Sequence, residues 1–447
     1  MLNKWKQTIS KFVCFVLTCQ LFILTVWAKP DWPSDTGIMA EAGIVMDMDS
    51  GAILYGQNIH LTYPPASITK ILTALIVLEN CNLDDTVTFS TTAVNQVEAD
   101  SGNKISVVAG DQLSVEDCLY SMLLVSCNQA ANALAEHTAG SISAFVNMMN
   151  EKLAQLGCQE SHFENPSGLN GDNQYVSAYD MALIAQAAYD NETLVEISSA
   201  TTHKIAPTTQ NPDGFTIRGE HRLCVTEDPS SPYYYPEAVA GKTGYLIKAG
   251  NTLVTYAVKD NRRLISVILK GQPRQYFVDG KALLEFGFRS FQDYTVADYE
   301  SRYVTGNETI NLDKGSFQAS DLMIDPDSVI TLPNSASFED ADITLGALPE
   351  ISPDNAVALL TYSYNDRTIG TAYLLAKDGV TIDGNDSAAE AATTAFDTAN
   401  AEAPLATASN AEKPQRPHKH ISVAGVLITI LIVLLVLGVI GLISWFI

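Results

Sequence analysis

Residues 64–70 read Pro64-Pro65-Ala66-Ser67-Ile68-Thr69-Lys70, and an apolar run continues to Leu78. Ile68, Ile71, Leu72, Leu75 and Ile76 recur at i, i+3, i+4, i+7 and i+8, the spacing of one buried helix face. The two prolines stop that helix from extending backwards, which puts Ser67 at its start. Three residues apart, Ser67 and Lys70 share a face, so a hydroxyl and an amine lie one turn apart. A capping serine followed by a first-turn lysine explains the pair without catalysis. Reading it as nucleophile and base requires more from the rest of the chain.

Two further motifs supply it. Ser126-Cys127-Asn128 falls at a break between two helical stretches, and Lys242-Thr243-Gly244 opens the region of a late β-hairpin. Ser67 is a poor nucleophile until a base takes its proton, and Lys70 is a base only when neutral. Bringing a lysine from its ordinary pKa of about 10.4 to about 7 takes roughly 4–5 kcal/mol of differential interaction. An apolar helix, the positive end of that helix and a neighbouring Lys242 all act in that direction. The Ser67 N–H at the helix start and the backbone of Tyr245 are candidate donors to an oxyanion. Gly244 permits close approach of a substrate strand. Ser126 is suited to relaying a proton, Asn128 to hydrogen-bonding substrate and Lys70, and Lys242 with Thr243 to holding a terminal carboxylate.

The ends of the chain are not globular. Lys4, Lys6 and Lys11 precede an apolar run from Phe12 to Trp27 and a Val26-Trp27-Ala28 processing site, the pattern of a secretory signal peptide. Ile421 to Ile447 carries no charge and exceeds the roughly 20 residues that a membrane-spanning helix needs. The expected location is therefore the outer face of the cytoplasmic membrane. With 26 basic and 51 acidic residues the net charge is −25, which repels nucleic acid and excludes it as a partner. Neither C-x-x-C nor H-E-x-x-H occurs, so no metal or other cofactor is expected; five cysteines remain after the signal, an odd number without regular spacing. His137, His162 and His221 are scattered, and they read as structural or surface residues.

Strand, turn and helix signals between residues 36 and 295 describe a domain that mixes helices with an antiparallel sheet. Strands are expected at Ala42–Met46, Ala52–Tyr55, Leu253–Val258 and Leu264–Leu269. Helices are expected after Ser67, from Ser114 toward Leu124, at Gln129–Glu136, Ile142–Leu156 and Ser177–Tyr189, and near Lys281–Glu285. Residues 296–380 change to short strands with Gly, Pro and Asp turns, read as a small β-sandwich. Residues 381–420 have too few large apolar side chains to fold and read as a tether to the span at 421–447.

The ordered set Ser-x-x-Lys, Ser-x-Asn and Lys-Thr-Gly is the signature of serine penicillin-recognising enzymes. Together with Asp49-Ser50-Gly51, Asn165-Pro166-Ser167-Gly168-Leu169, Ala178-Tyr179-Asp180-Met181-Ala182 and Ala249-Gly250, it makes residues 36–380 resemble the D-alanyl-D-alanine carboxypeptidases among the low-molecular-mass penicillin-binding proteins. The resemblance implies an α+β, β-lactamase/transpeptidase-like catalytic domain followed by a β-rich domain. It also implies removal of the terminal D-alanine from peptidoglycan stem peptides through an acyl-serine, with β-lactams acylating the same residue. Ser167 and Leu246 stand where that family often has histidine and threonine. Arg274 is the candidate for the arginine that the family places after the hairpin to help hold the substrate carboxylate. A serine β-lactamase is the alternative within the same chemistry, with Glu164 before Leu169-Asn170 at a spacing that does not match its deacylating base. A catalytically silent wall-binding protein is the alternative of another class.

Overall fold

The structure, a computed structural model, describes residues 29–33, 37–98, 101–349 and 351–382. The expected signal peptide, nearly all of the tether and the apolar segment 421–447 lie outside the described residues. Among the described residues, no helix is long and apolar enough to cross a membrane.

A five-stranded antiparallel sheet is built from residues 42–57 and 238–271. Its strands are β1 (Ala42–Asp47), β2 (Ile53–Gln57), β3 (Ala238–Leu246), β4 (Gly250–Lys259) and β5 (Arg262–Gly271), in the order β2-β1-β5-β4-β3. Side chains alternate across a strand, and here both faces are covered. Ile44, Met46, Ile265, Val267 and Leu269 point into one core with the helices α1 (Lys70–Asn80), α2 (Val115–Leu124), α3 (Asn128–Ala139), α4 (Ile142–Gln155) and α5 (Ala178–Tyr189). Val45, Leu264 and Ile268 point into another, with Phe277, Leu283 and Phe286 of α6 (Gln275–Ser290).

Ser114, Ser141 and Ser177 each accept a backbone N–H three residues on and cap α2, α4 and α5. Gly157 takes a φ of 76° just after α4, where the sequence places its end.

Two expectations about the Ser67 segment change. Ser67 does not begin the α-helix. Ala66–Thr69 is a 3₁₀ turn, and α1 starts at Lys70. Nor does α1 have a single buried face, because every residue from Lys70 to Val77 is buried. The helix runs through the middle of the core, so Thr73 and Lys70 are enclosed along with Ile71 and Leu72. Elsewhere, α6 is longer than expected from Lys281–Glu285. The stretch that lacked periodicity holds a helix at Glu192–Ser199 and a hairpin of Thr202–Ile205 with Phe215–Arg218.

A second antiparallel sheet joins β6 (Phe291–Thr295), β7 (Leu322–Ile324), β8 (Val329–Pro333), β9 (Asp342–Gly346), β10 (Ala356–Tyr364) and β11 (Arg367–Ala376) in the order β6-β8-β11-β10-β9, with β7 also on β11. A two-stranded ribbon, Thr309–Leu312 with Gly315–Gln318, adds Phe317 to the core of Leu322, Ile330, Leu360 and Tyr362. The sheet takes in Phe291–Thr295, ahead of the change of character at Val296. Arg262 fastens it to the five-stranded sheet: its guanidinium bonds Asp293 at 2.9 Å and Asp47 at 3.2 Å.

Candidate active site

The Ser67 turn is held from three sides. Ala66 has a φ of 51°, a left-handed conformation that costs a non-glycine residue about 1 kcal/mol and needs support. Thr252 on β4 donates to the Pro65 carbonyl at 2.9 Å, and Thr69 donates to the Ala66 carbonyl at 2.9 Å. On the third side Gly168 packs on Ala66 so closely that a Cβ there would meet the Ala66 oxygen at 1.9 Å. Ser67 is half-buried while Ala66, Ile68, Thr69 and Lys70 are buried, so the hydroxyl is the accessible group of the turn.

Lys70 is fully buried, and Nζ has three partners. It lies 2.9 Å from Ser67 Oγ, 2.7 Å from Asn128 Oδ1 and 2.5 Å from the Ser167 carbonyl oxygen. The last two only accept. In a neutral amine they use both N–H groups and leave the lone pair for Ser67 O–H; in an ammonium the third N–H points back at Ser67 Oγ. One proton can therefore pass between Ser67 and Lys70 with no heavy atom moving. Burial, then the charge of Lys242, pushes the Lys70 pKa well below its ordinary value, with Cys127 and Glu220 acting the other way.

Ser126 sits in the break between α2 and α3 with a φ of 62°, and Asn128 is the first residue of α3. The bonds to Lys70 come from Asn128 and not from Ser126. Lys242 is 1% exposed on β3, and Nζ donates to the Thr243 carbonyl at 2.9 Å. Burial lowers its pKa to about 8, Glu220 opposing and Lys104 reinforcing the shift. Gly244 lies against the serine: a Cβ there would be 2.8 Å from Ser67 N and 2.3 Å from Thr252 Oγ1. Bare backbone of β3, one of the two edge strands of the sheet, thus passes directly beside the Ser67 N–H. Thr243 and Tyr245 flank Gly244, and Tyr245 is exposed. Arg274 is also exposed, in a left-handed conformation at the start of α6, and is not among the partners of Lys70 or Lys242. Of the three histidines, His221 is buried, with Nε2 3.2 Å from the Val254 carbonyl, and burial lowers its pKa to about 4. It supports the strand from beneath Gly241.

Sequence reasoning missed the Ser167 carbonyl, because a main-chain oxygen has no residue signature. The signal that could have located it is the Asn-Pro-Ser-Gly loop itself. Asn165 Oδ1 accepts from Ser167 Oγ at 3.1 Å and from Gly168 N at 2.8 Å, and Thr73 donates to the Pro166 carbonyl at 2.7 Å. Buried Gln174 braces the loop: Oε1 accepts from Glu164 N at 3.0 Å and Asn165 N at 3.2 Å, and Nε2 donates to the Leu169 carbonyl at 2.5 Å. Because Lys70 is held by main chain, the absence of a histidine at Ser167 leaves this contact intact. Gln174→Leu strands two backbone N–H groups, each worth about 1–3 kcal/mol if left unpaired. We expect a lower melting temperature and about tenfold slower β-lactam acylation, read by stopped flow; Gln174→Glu, which keeps the acceptor, should recover part of the rate.

A fold of this kind with a serine, a buried lysine and a Lys-Thr-Gly edge strand defines the class of penicillin-binding, active-site-serine proteins. Penicillin-binding protein 6B of Escherichia coli shares the fold, with a TM-score of 0.57 and 23% identity over 78% of this chain and 99% of that one. The family described as D-alanyl-D-alanine carboxypeptidase matches residues 29–272, and this chain belongs to it. The D-alanyl-D-alanine carboxypeptidase DacB2 of Mycobacterium tuberculosis is 34% identical over 265 residues, 58% of this chain and 84% of the relative. DacA of Escherichia coli K12 is 30% identical over 310 residues, 67% of this chain and 72% of the relative.

Proposed function

We propose that this protein is a serine-type D-alanyl-D-alanine carboxypeptidase that releases the terminal D-alanine of peptidoglycan stem peptides through an acyl-Ser67 intermediate. The observation that carries the reading is the set of three partners around Lys70 Nζ. Neutral Lys70 takes the Ser67 proton as Oγ attacks the penultimate D-alanine carbonyl, and the oxyanion accepts from the backbone N–H groups of Ser67 and Tyr245. Ser126 relays the proton to the leaving amine, Asn128 holds the peptide amide and Lys70, and water then cleaves the ester. Lys242 and Thr243 bind the terminal carboxylate, to which Arg274 is the further candidate contact. β-Lactams present the same carboxylate and carbonyl and acylate Ser67.

The serine β-lactamase alternative is disfavoured by Glu164, whose carboxylate accepts from Asn173 N at 3.0 Å and is committed to its own loop. The silent wall-binding alternative is disfavoured by the intact set Ser67, Lys70, Ser126, Asn128 and Lys242. The uncharged segment Ile421–Ile447 supports anchoring to the outer face of the membrane, to be checked by whether the protein is released by carbonate or only by detergent.

Mass spectrometry after incubation with penicillin and with a muropeptide ending in D-Ala-D-Ala tests the activity. A Ser67 adduct and free D-alanine are expected; folded protein that gives neither overturns the reading, and penicillin turnover within seconds returns it to a β-lactamase.

The pH dependence follows from the two lysines. Lys70 acts as the deprotonated form, so kcat/KM for acylation rises with pH through its lowered pKa. Lys242 binds carboxylate as the ammonium, so kcat/KM falls as pH passes its value of about 8 in the free enzyme. A bell whose alkaline limb disappears in Lys242→Gln, on a much lower plateau, is the expected profile.

A further inference from the structure

We propose that the tip of the β3–β4 hairpin is a subsite for the upstream part of the stem peptide, taking an aliphatic side chain against Tyr245 and Ile247 and an anionic group at Lys248 and Lys270. The proposal rests on the reading above, in which the terminal carboxylate lies at Lys242 and Thr243.

That placement sets the direction of the peptide. β3 is an edge strand of its sheet, and among the described residues no strand pairs with its outer flank, which can take an added strand. With the carboxylate beside Lys242 and the reacting carbonyl beside the Ser67 N–H at Gly244, the rest of the substrate runs on past Tyr245 and Leu246. At roughly 3.3 Å per residue, the two residues upstream of the acylated D-alanine come level with residues 246–248.

The surface there has an unusual composition. Tyr245 is 63% exposed and Ile247 90%, two of the few large hydrophobic side chains left open to solvent among the described residues. Lys248 is exposed beside them, and Lys270 is fixed to the same tip, Nζ donating to the Lys248 carbonyl at 2.5 Å. Lys270 reaches it from a left-handed backbone conformation, φ 56°, at the end of β5. In a chain of net charge −25, two adjoining cations beside an apolar patch complement a peptide that carries carboxylates besides its terminal one. The patch continues the cleft along the one strand that both would share.

The test compares kcat/KM for an N-acylated stem pentapeptide with that for N-acetyl-D-Ala-D-Ala, which lacks the upstream residues. The ratio is expected to fall about tenfold in Ile247→Ser and in the double variant Lys248→Glu/Lys270→Glu. Added salt should lower the ratio for the wild type and leave it flat for the double variant. Ratios equal to the wild type in both variants overturn the subsite. Failure of the wild type to cleave either peptide overturns the parent reading, a result distinct from an unchanged ratio.

Discussion

Ser67→Ala is expected to abolish both penicillin labelling and D-alanine release, and Lys70→Ala to come close. Without Oγ no acyl-enzyme forms. Without the Lys70 amine the hydroxyl keeps its proton and loses its 2.9 Å partner, a loss of roughly 10²–10⁴-fold for a positioned general base. Lys70→Arg separates base chemistry from simple charge. A guanidinium cannot deprotonate in a protein, so a role limited to positive charge would leave activity in the Arg variant, whereas a role as base predicts a loss like that of Lys70→Ala. Intact-mass measurement of acylation over time, with circular dichroism to establish folding, reads the result. Ser67→Ala should fold as well as the wild type, whereas Lys70→Ala leaves the buried Asn128 Oδ1 and Ser167 carbonyl without their donor and should be less stable by about 1–3 kcal/mol.

The second large effect is expected from Gly168→Ala, a residue that touches no substrate. Its φ of 81° disfavours any Cβ, and the Ala66 oxygen stands 1.9 Å from where that Cβ would go. The chain has to yield on one side of this contact. On one side is the turn that presents Ser67; on the other is the loop whose Ser167 carbonyl holds Lys70. We expect a destabilisation of at least about 1–3 kcal/mol and an acylation rate lower by tenfold or more. Thermal denaturation and stopped-flow acylation together check it. Stability lost with acylation at the wild-type rate would show that the two sides of the cleft are set independently.

These predictions separate what could be read along the chain from what could not. The pairing of Ser67 with Lys70, the Ser126 and Asn128 break and the Lys242-Thr243-Gly244 strand all carry local signatures: a spacing of three on a helical turn, turn chemistry between helices, and a glycine where backbone must approach. The hairpins around β1 and β4 and the caps Ser114 and Ser177 were legible for the same reason, since each depends on residues within four or five positions. The residues 192–218 were not, because their apolar side chains answer to packing against α2 and β3 more than to any period of their own. Likewise α1 shows a helical face in sequence but no sign that its other faces are covered.

By itself the sequence determined the chemical types present, their order and the local elements that carry them, because propensity, capping and spacing act over one or two turns. Only the tertiary structure decided that Lys70 is sealed on every side, that a carbonyl from residue 167 completes its coordination, and that β3 is an edge strand lying against Ser67. Those facts depend on which distant segments meet, and burial of an ammonium is a property of all of them together.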